Sequence, residues 1–277
     1  MGKNLILLVA SKKDPASMNI TKQILENYPS ERFKETSIVE VYAVKKDEKE
    51  IKLVVLDGEL VYAQNITSFS PSLELLIFLS RHSSESGIPT LSVHTPGNFG
   101  RASLGGKPRK LSVSPANAMR TALKAMAQMI EERHLNYKVS YECTHHGPSL
   151  DIPAMFVELG STPKQWADTK AAKVIADATM ETISSFRENK AQAALGIGGP
   201  HYNEKFTKIA LESDIAFGHI IPKYAVHQID EEMLKQCVEK TLEKVELALL
   251  DWKGIKGEDK ESLVKMLEKL DLKIQKV

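Results

Sequence analysis

Tyr141-Glu142-Cys143-Thr144-His145-His146-Gly147-Pro148 reads as a strand that stops abruptly on two imidazoles. Val139 and Tyr141 alternate with polar neighbours, the pattern of a short strand. Gly147-Pro148 then ends the run, because that pair neither continues a strand nor leads directly into a helix. Two other stretches read the same way, Leu91-Ser92-Val93-His94-Thr95-Pro96-Gly97-Asn98 and Leu195-Gly196-Ile197-Gly198-Gly199-Pro200-His201-Tyr202. Each is an apolar run followed by Gly/Pro punctuation carrying a His. In open α/β sheets ligands bind beyond the carboxyl ends of the strands. If the three stops are neighbours, His94, His145, His146 and His201 meet there.

The elements around these stops alternate. Asn4–Ala10 is continuously apolar, as a strand covered on both faces is. A turn and a helical spacing over Met18–Tyr28 follow, opening a βαβ unit. Strands are predicted over 37–44, 51–56, 73–80, 89–94, 155–159, 193–197, 215–221 and 272–277. Asp57-Gly58 is read as a hairpin turn into Leu60-Val61-Tyr62. Ser114-Pro115 is read as the N-cap and first position of a helix, and Thr162-Pro163 as the start of one long helix to about Glu188. Asp230 and Glu258 begin two more. The fold class expected is α/β, a mixed, mostly parallel sheet with helices on both faces. It forms a single catalytic domain over 1–277, with room for a small C-terminal subdomain.

Of 277 residues, 42% are hydrophobic and 26% charged, which is ordinary for a globular chain of this length. The 37 basic and 36 acidic side chains leave no global positive field, so a nucleic acid must be held by a local patch. Two cysteines, Cys143 and Cys237, make no disulfide framework and point to a reducing cytoplasm. No apolar run reaches the ~18–20 residues that span a bilayer.

Imidazole is both the commonest metal ligand and the usual general base near pH 7. A single turn histidine more often packs or is solvated, and His94 and His201 have that plain reading too. Adjacent side chains in a tight turn can reach one cavity, which brings the His145–His146 pair into consideration. Gly198-Gly199 either lets a ligand approach the backbone or simply forms a turn. No His-Glu-x-x-His, paired Cys-x-x-Cys, phosphate-binding Gly-rich loop or Gly-x-Ser-x-Gly elbow is present. A bound metal would therefore take its ligands from separate strand ends, and imidazoles favour zinc. Glu142, Glu158 and Asp151 are the acidic alternatives for a ligand or base. The Gly-rich stretch 95–110 carries Arg101, Lys107, Arg109 and Lys110, either solvated surface or a phosphate track.

Taken in this order and spacing, Ser92–Asn98, Cys143–Pro148 and Gly198–Tyr202, with Ser80-Arg81-His82-Ser83 in support, resemble the archaeal and plant type of D-aminoacyl-tRNA deacylase over essentially the whole chain. The resemblance implies hydrolysis of the ester joining a D-amino acid to the 3′ end of tRNA. It also implies a zinc requirement and a fold related to phosphorylases and peptidyl-tRNA hydrolases. Motif positions and strand-end geometry together give His145, His146, Thr144 and Glu142 as expected catalytic residues. His94, His145, His146 and His201 are the expected metal ligands. Thr95, Asn98, Gly198, Gly199 and Tyr202 are expected to contact substrate, with Arg101, Lys107, Arg109 and Lys110 on phosphates. The partner expected is the acceptor end of D-aminoacyl-tRNA, with no membrane and no obligate protein partner. The rival readings are a zinc hydrolase or phosphorylase of a small metabolite, a non-catalytic RNA-binding protein and a metal-stabilised scaffold.

Overall fold

The apolar N-terminal run becomes a central strand, β1 (Leu5–Ser11), buried along its whole length. The computed structural model describes residues 5–35, 39–70 and 72–277. Asn4 and the first two residues of the predicted strand 37–44 lie outside them. Helix α1 (Pro15–Asn27) starts where Asp14 accepts a hydrogen bond from the Ser17 amide. Strands β2 (Ser30–Glu35), β3 (Val39–Lys46) and β4 (Lys49–Leu56) form an antiparallel meander. Its tight turn lies at Asp47, whose φ is +53°. The hairpin predicted at Asp57-Gly58 does not form. There the chain enters a 3₁₀ turn, Leu60–Tyr62, which tucks Leu60 against the apolar face of β1.

Next come β5 (Leu73–Arg81), β6 (Thr90–His94), the short strands β7 (Gly97–Asn98) and β8 (Lys110–Leu111), and α2 (Ala116–Glu132). Ser114 does not cap α2. Pro115 holds that position, and the Glu243 carboxylate accepts the amides of Ala116 (2.9 Å) and Asn117 (3.0 Å) from far along the chain. Strands β9 (Lys138–Tyr141) and β10 (Ala154–Gly160) precede two helices where one was predicted, α3 (Pro163–Trp166) and α4 (Thr169–Ser184). The break is Asp168, whose carboxylate accepts the Lys170 and Ala171 amides and so starts a new helix. The chain ends with β11 (Gln192–Ile197), α5 (Glu204–Glu212), β12 (Ile215–Ile221), α6 (Glu231–Glu239), β13 (Val245–Leu250), α7 (Gly257–Glu268) and β14 (Lys273–Lys276). Strand β13 carries no sequence prediction.

The strands form an eight-stranded sheet in the order β2-β3-β4-β1-β5-β10-β6-β9 and a four-stranded sheet, β12-β11-β13-β14. The second is parallel throughout, and the first is parallel from β4 to β10 and between β6 and β9. The mixed, mostly parallel α/β class is as expected. Helices α1, α2 and α4 cover one face of the large sheet. The same hydrophobic cluster continues into α5, β11 and β13, so the two sheets share a core. Helices α6 and α7 cover the other face of the small sheet. The second face of the large sheet is roofed by short turns, with Leu60, Ile66 and Leu150 over Val9, Phe78 and Phe156. That thinner roof leaves room for a site.

Candidate active site

The three strand stops meet, stitched by backbone hydrogen bonds. The Cys143 amide donates to the His201 carbonyl (2.9 Å), the Asn203 amide to the Tyr141 carbonyl (3.0 Å), and the Gly97 amide to the His146 carbonyl (2.7 Å). They follow β6, β9 and β11. Because β6 runs antiparallel to β10, its carboxyl end reaches Phe156 under the turn roof, while Asp14, Glu59 and Arg81 come to the larger cavity from the carboxyl ends of β1, β4 and β5. Phe156 and Glu158 of β10 are paired with His94 and Ser92 of β6 on the roofed face.

His146 has φ +45°, a region few side chains adopt, and this turn places two consecutive rings side by side with centroids 4.3 Å apart. Gly147 lies so close to the loop below that an added Cβ would stand 2.1 Å from the Gly106 nitrogen. Both rings are held by their first nitrogen. His145 Nδ1–H donates to the Cys143 carbonyl (2.8 Å) and His146 Nδ1–H to the Gly147 carbonyl (2.7 Å). Burial, then the neighbouring His94, pushes His146 down to about 4 and holds His145 well below the usual imidazole range. Both rings are therefore neutral at pH 7, and each keeps an unprotonated Nε2. His94 lies beneath them, stacked on Phe156 at 5.0 Å and 4.2 Å from the His145 ring. It is buried, and neither of its ring nitrogens has a hydrogen-bond partner.

Beside this trio is a set of four charges, buried His82, Glu142 and Glu158 and half-buried His201. Glu142 accepts from Ser92 Oγ (2.5 Å), from His82 Nδ1 (3.1 Å) and from His201 Nε2 (2.9 Å). His82 Nδ1 also lies 3.6 Å from Glu158. Burial is the largest influence on all four and opposes charge. For His82 the two carboxylates outweigh it, and for His201 Cys143 and Glu142 do, pushing each imidazole up to about 10. Against burial, His201 and His82 hold Glu142 well below the usual carboxylate range. His82 and His94 lower Glu158 against both burial and the repulsion of Glu142. Two imidazolium and two carboxylate groups thus balance. Three groupings each have ligand atoms within 4.8 Å of one another: His94/His145/His146 and Cys143/His145/His201, which share His145, and His82/Glu142/Glu158.

Two cavities open onto His145 and His146. The larger, of about 630 Å³, is lined among others by Asp14, Glu59, Arg81, Glu142, His201 and Tyr202. The smaller, of about 340 Å³, is lined among others by Asn98, Phe99, Arg101, Thr144, Tyr224 and Gln228.

Of the expected metal ligands, His94, His145 and His146 group together, whereas His201 faces Glu142 and Cys143. Thr144 is buried and bonds His219 through its hydroxyl (3.1 Å), bracing the turn. Thr95 is also buried, donating to Ser114 Oγ (2.7 Å), and stands as packing rather than a substrate contact. Gly198 and Gly199 have φ of +101° and +77°, and an added Cβ would meet Asp251 or Asn203, so the protein's own chain fills this turn. Asn98 lines the smaller cavity and donates to the Gly105 and Lys107 carbonyls. The basic stretch divides. Arg101 lines the smaller cavity, Lys107 is exposed away from either, Arg109 pairs with Asp230 (2.6 Å) and Lys110 with Asp151 (2.9 Å). Asp151 is thereby a surface partner of Lys110 and Lys240, outside the site. His82, Ser92, Cys143 and Tyr224 join the site without a role expected from sequence, and Glu158, an acidic alternative there, is confirmed as a neighbour of His82 and His94. His82 had a visible signal, a fourth apolar run ending on a histidine.

None of the described helices is long and apolar enough to cross a membrane. A family model of D-aminoacyl-tRNA deacylases matches residues 69–275, which include all three motif stretches. The chain belongs to the D-aminoacyl-tRNA deacylase family. Relatives carrying that name include one from Thermococcus onnurineus, 37% identical over 272 residues, 96% of this chain and 97% of its own. Another, from Methanosarcina mazei, is 35% identical over 279 residues, 98% of this chain and 92% of its own. A crystal structure titled as a conserved protein of unknown function superposes with a TM-score of 0.90 at 29% identity, covering 100% of this chain and 96% of that one. The resemblance carried by the three motifs is thus borne out at the level of the deacylase family.

Proposed function

We propose that this site hydrolyses the ester of D-aminoacyl-tRNA, releasing the free D-amino acid and tRNA, and that it works in the cytoplasm. The observation that carries the reading is the junction of two cavities at two neutral imidazoles, backed by a charge-balanced set that includes His201. Ester cleavage needs a water held and deprotonated next to the acyl carbon, and positive charge where the oxyanion forms. The Nε2 atoms of His145 and His146 hold the water, either directly, where one can accept its proton, or as ligands of a metal that binds it. His201, fixed through Nε2 on Glu142 and lining the larger cavity, supplies the charge. Ser92 and His82 in turn fix Glu142.

Zinc fits the first grouping. Neither ring nitrogen of buried His94 is hydrogen-bonded, its Nε2 standing 3.7 Å from the Glu158 carboxylate, a state that a coordinated cation would relieve, and His145 and His146 have their Nδ1 protons already tied to carbonyls. Held by these three residues, zinc would acidify a water and polarise the ester carbonyl. Site residues come from the large sheet and from the turn after β11, so the chain is read as one catalytic unit.

The test is ester loss from D- and L-tyrosyl-tRNA, with metal-loaded and chelator-treated protein. D-ester loss well above background, L-ester loss near it, and bound zinc that falls on replacing His94 by alanine are expected. D-ester loss no faster than background with loaded protein would overturn the activity. Full D-ester activity in protein that analysis shows to be metal-free would overturn the zinc requirement alone.

A further inference from the structure

A substrate cleaved at His145 and His146 has one part in each cavity, because those two rings are the residues that line both. The cavities differ in charge. Around the larger, Glu142 and Glu158 are balanced by His82 and His201 and Glu59 pairs with Arg81 (3.4 Å), which leaves the Asp14 carboxylate in surplus. Among the residues lining the smaller there is no carboxylate, and Arg101 is its cation. No ion-pair partner engages Arg101 among the described residues, unlike its loop neighbours Arg109 and Lys110.

The smaller cavity is also the more suited to a flat, polar-edged group. Tyr224 is 54% exposed, yet its hydroxyl is anchored 3.3 Å from His201 Nδ1 and 3.4 Å from Cys143 Sγ. That anchoring presets an aromatic face without burying it. The Gln228 amide lies against Gly100, where an added Cβ would stand 2.8 Å from its Oε1, so backbone and amide line this wall together. Aromatic faces stack nucleobases, and guanidinium groups neutralise phosphates. Both cavities fall in the ~300–1,000 Å³ range of small-ligand sites.

We propose that the smaller cavity is the subsite for the 3′-terminal nucleotide of the substrate. Its base stacks on Tyr224 beside Gln228, and Arg101 meets the adjoining phosphate. The aminoacyl group then occupies the larger, acid-lined cavity, whose surplus carboxylate favours the α-ammonium group and disfavours phosphate. This assignment rests on the deacylase reading and orients the ester across the two imidazoles.

The probe is the 5′-phosphorylated trinucleotide CCA, titrated onto the full chain and used as an inhibitor of D-tyrosyl-tRNA cleavage. Wild type should bind it and be inhibited competitively. Arg101→Glu should weaken it about tenfold, the scale of one charged hydrogen bond. Arg101→Lys should recover part of the loss, and Gln228→Ala should weaken binding to a lesser degree. Arg101 and Gln228 are exposed, and unchanged melting temperatures verify the folding of the variants. The subsite is overturned if CCA does not bind. It is equally overturned if these variants bind CCA and tRNA as wild type does, or if Glu59→Gln and Tyr62→Ala, in the larger cavity, weaken CCA instead. Failure of the deacylase reading looks different, since wild type would then leave D-tyrosyl-tRNA intact.

Discussion

Replacing His145 or His146 by alanine lowers turnover of D-tyrosyl-tRNA by at least ~10²-fold, the usual scale for losing a positioned proton-transfer group. The expectation follows from the rings' protonation and their place. Each is held as the neutral Nδ1–H form by a backbone carbonyl, and each lines both cavities. Their loss removes the atoms that hold or deprotonate water, whether they do so directly or as zinc ligands. Single-turnover cleavage measures the chemical step, and circular dichroism verifies that the variants are folded. Near wild-type rates in both would remove the pair from the mechanism.

Glu142→Ala has the largest expected effect on stability. Its carboxylate is buried and is the shared partner of Ser92, His82 and His201. Without it His82 retains Glu158 at 3.6 Å, and His201 loses the anion that its Nε2 faces. Breaking a buried pair by removing one partner costs about 3–5 kcal/mol, because a charge is left uncompensated. A fall in melting temperature of roughly 10 °C follows for a chain of this size. Glu142→Ala combined with His201→Ala should cost less than the sum of the two, because the second change removes the stranded charge. Chemical denaturation of the four proteins measures that coupling. Additive losses would mean that the two side chains do not share their charge.

The three strand stops were legible because each carries its own signal, an apolar run broken by Gly and Pro beside a His. What no local pattern carries is the sheet order. Strand β10 lies between β5 and β6, and this alone brings Glu158 to His82 and His94. The same limit explains the basic stretch, where Arg109 and Lys110 look free in sequence until Asp230 and Asp151 arrive from distant segments. The Gly198-Gly199 turn was ambiguous for a related reason, since only the fold shows Asp251 and Asn203 packed against it. The single long helix was a misreading with a local signal, since Asp168 is a good helix N-cap inside it, and the turn at Asp47 between the two correctly placed strands carried no sequence assignment. At Asp57-Gly58 the turn chemistry was right, but burial of Leu60 under the sheet prevailed over strand pairing.

Catalysis at this site requires two adjacent imidazoles that are neutral, protonated at Nδ1 and bare at Nε2. Long-range ¹H–¹⁵N correlation spectra of the histidine rings, assigned with single substitutions, read that state independently of activity. Between pH 6 and 8 His145 and His146 should both show protonated Nδ1 and unprotonated or metal-bound Nε2, and for His146 this agrees with a pKa pushed down to about 4. Either ring found as imidazolium, or as the Nε2–H tautomer, at pH 7 would contradict it.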